Sequence, residues 1–161
     1  LASKKGIAIT AAIVVGIVGA SFLIWLLPQE SGVNVRQITP PPHQEVFQQV
    51  YTQNTELATD IDSKYVQWKS NQLSSETMSA SIDEAKTMVG NMRKNLADVS
   101  PPQQWQESFG TYATALDVFN QYLDGIKSKV QAGDRGDDPE IDSLKQRWAD
   151  SVDRAVKSVP L

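Results

Sequence analysis

The chain has no cysteine. Disulfides, thiolate metal sites and cysteine nucleophiles are therefore excluded together, and stability must come from a packed core. Histidine is almost as scarce, with His43 the only one. A di-iron site of the kind held in helical bundles needs inward glutamates and two Glu-x-x-His pairs, which one histidine cannot supply. No Ser-His-Asp arrangement is recognisable around His43 either, so no nucleophilic triad is assignable. Gly-x-x-x-x-Gly-Lys-[Ser/Thr] is missing, and Asn34, Asn54, Asn71, Asn91, Asn95 and Asn120 all lack a hydroxyl residue two positions on, so neither a phosphate cradle nor N-glycosylation is expected. Alternating apolar and polar runs bounded by turns are also wanting, which argues against strands.

Basic residues are the minority. Fifteen Lys and Arg face nineteen Asp and Glu, for a net charge of −4. Setting aside Lys4 and Lys5 makes the remainder more acidic still, and such a chain repels phosphate backbones, so nucleic acid is not an expected partner.

What is present begins with Gly6 to Leu27, GIAITAAIVVGIVGASFLIWLL, an uncharged run ended by Pro28. About twenty apolar residues are what a helix needs to cross a bilayer. Lys4 and Lys5 precede the run and no basic residue follows it before Arg36, which places the N-terminus in the cytoplasm and the remainder outside the cell membrane. A cleaved signal would have a shorter apolar core, about 7–15 residues, and a small-residue cleavage site, so an uncleaved signal-anchor is expected. The organisation reads as a cytoplasmic N-terminus (1–5), a transmembrane helix (6–28), a proline-containing stalk (29–42) and an extracytoplasmic domain (43–161). Gly16, Gly19 and Ala20 are small residues on the membrane helix, candidates for close packing against partner helices in lipid.

The outer domain has the period of helices. Val46, Val50, Leu57, Ile61, Tyr65 and Trp68 form one stripe between about His43 and Ser70, interrupted by Asn54. Ser75 is placed to cap the next helix, on which Met78, Ile82, Ala85, Val89, Met92, Leu96 and Val99 are spaced four and three apart. Ser100-Pro101-Pro102 predicts a serine-capped, proline-led start to a third helix, with Trp105, Phe109, Tyr112, Leu116, Phe119, Leu123, Ile126 and Val130 inward. Asp138-Pro139 opens a fourth, carrying Ile141, Leu144, Trp148, Val152, Ala155 and Val159. The expected fold is all-α: one N-terminal transmembrane helix followed by a soluble up-down-up-down four-helix bundle.

Candidate chemistry in this domain has a plainer reading in each case. His43, at a helix start, reads as a solvent or capping residue rather than a metal ligand. Met78 and Met92 read as core fillers rather than a soft-metal site. Asp134, Asp137 and Asp138 lack the EF-hand order and read as compensation of a helix dipole. The tripeptide Arg135-Gly136-Asp137 carries no weight unless displayed. No catalytic, cofactor-binding or metal residue is assigned, no cofactor or small-molecule substrate is expected, and the chain reads as an interaction protein rather than an enzyme. A chemoreceptor-type sensor would need a cytoplasmic output domain, which residues 1–5 do not provide. Integral membrane subunits of a complex are thus the expected partners.

Two resemblances bear on this. Lys4-Lys5-Gly6-Ile7 resembles the processing site of archaeal type IV prepilins, which would imply cleavage and polymerisation. ASKKGIAITAAIVVGIVGASFLIWLLPQ, followed by a stalk and a helical domain with the start SPPQQW, looks like a group of small single-span proteins of ammonia-oxidising archaea. That resemblance covers Ala2 to Gln29 and Ser100 to Trp105. It implies an accessory subunit of the archaeal ammonia monooxygenase, a copper-dependent membrane complex whose metal ligands lie in other chains.

Overall fold

Proline marks where the first helix begins. Pro41 is extended, at φ −55° and ψ 141°, and Pro42 occupies the first helical position, where a missing N–H costs nothing. The structure, a computed structural model, describes residues 41–160. The expected cytoplasmic N-terminus (1–5), the expected transmembrane helix (6–28) with Gly16, Gly19 and Ala20, and the expected stalk up to residue 40 lie outside the described residues. Among those described, no helix is long and apolar enough to cross a membrane.

Four helices and no strand make up the described region: α1 (Pro42–Lys69), α2 (Ser75–Ala97), α3 (Gln106–Ala132) and α4 (Pro139–Lys157), with a 3-10 turn (Gln103–Trp105) leading into α3. Cross-helix pairs fix their directions. Asp83, Lys86 and Arg93 of α2 pair with Lys127, Asp124 and Asp117 of α3, so the partner number falls as the first rises and the two run antiparallel. Ser108 meets Ser158, Phe119 meets Trp148 and Gly125 meets Ile141, which makes α3 and α4 antiparallel as well. Asn54 and Asp62 of α1 reach Tyr112 and Tyr122 of α3 in the same order, hence parallel. The arrangement is up-down-up-down, as short connections between sequential helices require.

The stripes of α2 to α4 pack as their spacing predicts. Met78, Ile82, Ala85, Val89, Met92 and Leu96 are buried, as are all eight residues from Trp105 to Val130 on the α3 stripe. Val99 and Val159, just beyond the ends of α2 and α4, are half-buried, as is Leu144 in the second turn of α4. The first stripe differs: Phe47, Tyr51 and Ala58 are buried, whereas Val46 and Tyr65 are only half-buried. α1 faces α2 on one side and α3 with α4 on the other, so its buried arc is wider than a two-helix seam and turned toward Phe47 and Tyr51.

Two caps also differ from the expectation. Ser74, not Ser75, caps α2, its Oγ accepting from the Thr77 N–H at 3.1 Å. Ser75 is the first helical residue, and its Oγ accepts instead from Trp68 Nε1 at 2.9 Å, which ties the end of α1 to the start of α2. Ser100 does not cap α3. Pro102 disfavours helical geometry at Pro101, the chain stays extended through Pro102 (φ −55°, ψ 156°), and a 3-10 turn begins only after it. The cap of α4 is as predicted: Asp138 Oδ1 accepts from the N–H groups of Glu140 at 2.9 Å and Ile141 at 3.4 Å.

Candidate functional site

The apolar interior is broken at one point. Asn54, with no exposure at all, lies midway along α1 where an apolar residue would continue the stripe. Its Oδ1 accepts from Trp148 Nε1 at 3.0 Å and from the Tyr112 hydroxyl at 3.2 Å. An indole N–H can only donate, so the amide oxygen must face Trp148. That leaves Nδ2 buried without a hydrogen-bond partner among the described residues. Three helices meet on one oxygen, which fixes their register.

Two turns along α1, Asp62 repeats the pattern nearer the surface. It accepts from the Tyr122 hydroxyl at 2.6 Å and pairs with Lys145 of α4 at 2.5 Å. Burial raises all four tyrosine hydroxyls. Tyr51 and Tyr65 are pushed up to about 12, with the aspartates of the 134–142 region adding to the effect at Tyr65. Tyr112 and Tyr122 are held well above the ordinary value, with Asp62 adding to burial at Tyr122. Tyr112 and Tyr122 keep their protons as hydrogen-bond donors to Asn54 and Asp62.

At the end of the bundle where α1 meets α2 and α3 meets α4, the acidic turn is fastened to the body. Gly133, at φ 66°, takes the left-handed geometry that ends α3. Lys129 is only 6% exposed and reaches Asp134 at 2.7 Å and Asp138 at 3.8 Å. The hydrogen bond to Asp134 raises the Lys129 ammonium above its ordinary value against the opposing effect of burial. The same bond, with the Gly136 N–H, holds Asp134 below the usual carboxylate range. Arg135 donates through Nε to the Trp68 carbonyl at 3.0 Å and stacks its guanidinium 4.9 Å from the Trp68 ring. Lys69 pairs with Asp137 at 2.6 Å. Arg135-Gly136-Asp137 is thus clamped against α1, and the cations that meet these carboxylates are the protein's own lysines.

His43 is half-buried in the first turn of α1, its ring edge-on to Trp105 with centroids 5.1 Å apart. Met78 and Met92 are buried at 0% and 1% exposure, while Met88 opens to solvent at 37%, so the methionines one turn apart on α2 face different surroundings. Among the described residues no cluster of three or more His, Cys, Asp or Glu is placed to hold a metal ion. Two surface grooves accompany the helix seams. One of about 290 Å³ between α1 and α2 is floored by Leu57, Ala85 and Met88 and edged by Glu56, Asp60 and Glu84. The other, about 620 Å³, runs between α3 and α4 past Gly125, Leu144 and Arg147.

No protein family, curated protein or solved structure matches the chain. Of the polar residues that organise the interior, Asn54 carried a signal in the sequence, as the one polar member of an apolar stripe. Asp62, Lys129, Arg135 and Lys145 carried none, because each sits on a helix or turn where a charged residue is ordinary.

Proposed function

We propose that this chain is a non-catalytic, membrane-anchored accessory subunit of a larger membrane protein complex, with the archaeal ammonia monooxygenase as the leading candidate. The observation that carries the reading is the pairing of an uncharged run, Gly6 to Leu27, with a bundle whose core is filled by large apolar side chains, Trp68, Met78, Met92, Tyr112 and Phe119 among them. The run has the length of a membrane span, and its flanking lysines orient the bundle outward. The bundle offers grooved, acidic sides to neighbours. Gly16, Gly19 and Ala20 permit close approach of partner membrane helices. The link to ammonia monooxygenase rests on the likeness of the anchor and of SPPQQW, and assigns no copper ligand to this chain.

Gentle-detergent purification of the native chain, with mass spectrometry of everything that co-migrates, tests the proposal. Integral membrane subunits in stable ratio are the expected result, and elution of the chain alone overturns it. Replacing Gly16 and Gly19 together by leucine should weaken that association by removing the close approach, while the bundle keeps its helical circular dichroism. The pilin-like alternative rests on Lys4-Lys5-Gly6-Ile7, and a native chain that begins at Gly6 or Ile7 and forms filaments would establish it. An extracytoplasmic ligand-binding domain would instead carry a bound small molecule between its helices.

A further inference from the structure

Ion pairs are distributed unequally over the seams of the bundle. Between α2 and α3, Asp83, Lys86 and Arg93 each meet an opposite charge, and Asp62 of α1 meets Lys145 of α4. Among the described residues no ion pair joins α1 to α2. Glu56 of α1 and Glu84 of α2 instead line the same groove, both exposed, and neither carboxylate has a partner among the described residues. Asp60 adds a third acid and holds Lys64, one turn along the same helix, at 2.7 Å. Three carboxylates thus share the groove with one ammonium. Between these acids the floor is apolar. Leu57 and Ala85 are buried, and Met88, 37% exposed, is one of two large apolar side chains open to solvent in the described region.

We propose that the α1/α2 groove is a docking surface for a cationic amphipathic helix of a partner protein, which lays an apolar ridge on Leu57, Ala85 and Met88 and sets Lys or Arg against Glu56 and Glu84. The inference stands on the bundle alone and needs no membrane anchor. Charge decides the kind of occupant. Acid facing acid across a helix seam opposes the packing of the free bundle, whereas a cation placed between the two walls relieves it. An acidic protein, a nucleic acid or an anionic lipid surface would add to the repulsion.

Shape decides the rest. The groove is open along the seam and measures about 290 Å³, at the lower edge of the about 300–1,000 Å³ that encloses a small molecule. The side-chain ridge of a helix fits such a furrow between two packed helices. Met88 suits the floor, because an unbranched thioether chain adapts to what lies on it. Further along the same helix faces, Gln49 and Gln53 of α1 and Asn91 and Asn95 of α2 carry no charge. The cations of the partner are therefore called for only at the Glu56 and Glu84 end of the seam.

The chain has no cysteine, so one introduced at Gln53 in the groove, or at Gln121 on α3 away from it, carries a unique fluorescent label. The probe is a short alanine-based helical peptide with leucines along one face flanked by arginines. It is titrated at low salt into the full chain in neutral detergent, beside a twin peptide with glutamates in place of the arginines. A saturable response at position 53, with none at 121 and none to the twin, is the expected result. Glu56→Gln with Glu84→Gln should weaken binding about tenfold, because two charge pairs are lost. Glu76→Gln with Glu140→Gln removes the same charge from exposed glutamates elsewhere and should leave binding within about twofold. Equal loss from the two double variants reduces the effect to the net charge of the chain and overturns the inference. A response to both peptides, or none at position 53, overturns it as well. Self-association of the chain that changes the label at 53 without peptide assigns the groove to a second copy and has the same consequence. Helical circular dichroism, measured on every variant, separates these outcomes from unfolding.

Discussion

Asn54 shows how a single polar side chain can be costly and still organise a core. Its oxygen takes two donors from two other helices, and its amide nitrogen has no partner among the described residues. Replacing it by alanine strands both the Tyr112 hydroxyl and the Trp148 N–H in an apolar interior. Each stranded donor costs about 1–3 kcal/mol. Asn54→Ala should therefore lower the urea midpoint clearly, whereas Tyr112→Phe, which removes one donor at 3.2 Å along with its need, should cost only about 0.5–1.5 kcal/mol. A larger loss from Tyr112→Phe than from Asn54→Ala would contradict this account of the node.

Helix starts follow the same local chemistry, but only where the backbone permits it. Asp138 accepts from two N–H groups at the start of α4, with Pro139 already set for the first turn. Asp138→Ala should destabilise the bundle by about 0.5–2 kcal/mol, the usual cost of an N-cap. Ser100→Ala, by contrast, should shift the thermal midpoint hardly at all, because the Pro101-Pro102 pair keeps Ser100 outside the helix it precedes. The two variants together separate a cap that is formed from one that the sequence only suggests. Between elements, the seams are held differently. Three ion pairs tie α2 to α3, whereas the α1/α2 groove sets Glu56 and Glu84 along its edges. Exposed pairs of that kind contribute little stability each, so their clearest effect is on register.

At the scale of the molecule, the raised hydroxyls of Tyr51, Tyr65, Tyr112 and Tyr122 make alkali the more revealing denaturant. Each hydroxyl is raised above its ordinary value of about 10, so the fold binds these protons more tightly than the unfolded chain does. Their contribution is complete below pH 10, and it is lost as pH rises from there through the folded values, which for Tyr51 and Tyr65 stand at about 12. Spectrophotometric titration should show no phenolate at pH 10 in the folded protein, then ionisation of Tyr112 and Tyr122 only together with loss of helical circular dichroism. Ionisation of all four with an ordinary midpoint while the helices persist would contradict the packing described.

Much of this was legible in the chain itself, and what was legible is short-range. Four helices, their lengths, the buried stripes of α2 to α4 and the Asp138-Pro139 start all follow from side-chain spacing and capping, which act within about four residues of one another. The uncharged run from Gly6 to Leu27 is likewise a property of the sequence alone. Tertiary structure decided which flank of α1 turned inward, burying Phe47 and Tyr51 rather than Val46 and Tyr65, because that depends on three neighbouring helices at once. It decided that Asn54 belongs to the core, since its two donors lie 58 and 94 residues away. It made Ser75 a partner of Trp68 instead of a cap, and fastened the acidic turn to α1 through Arg135. Periodicity specifies that a face is buried, whereas its contacts depend on residues that only the folded bundle brings together.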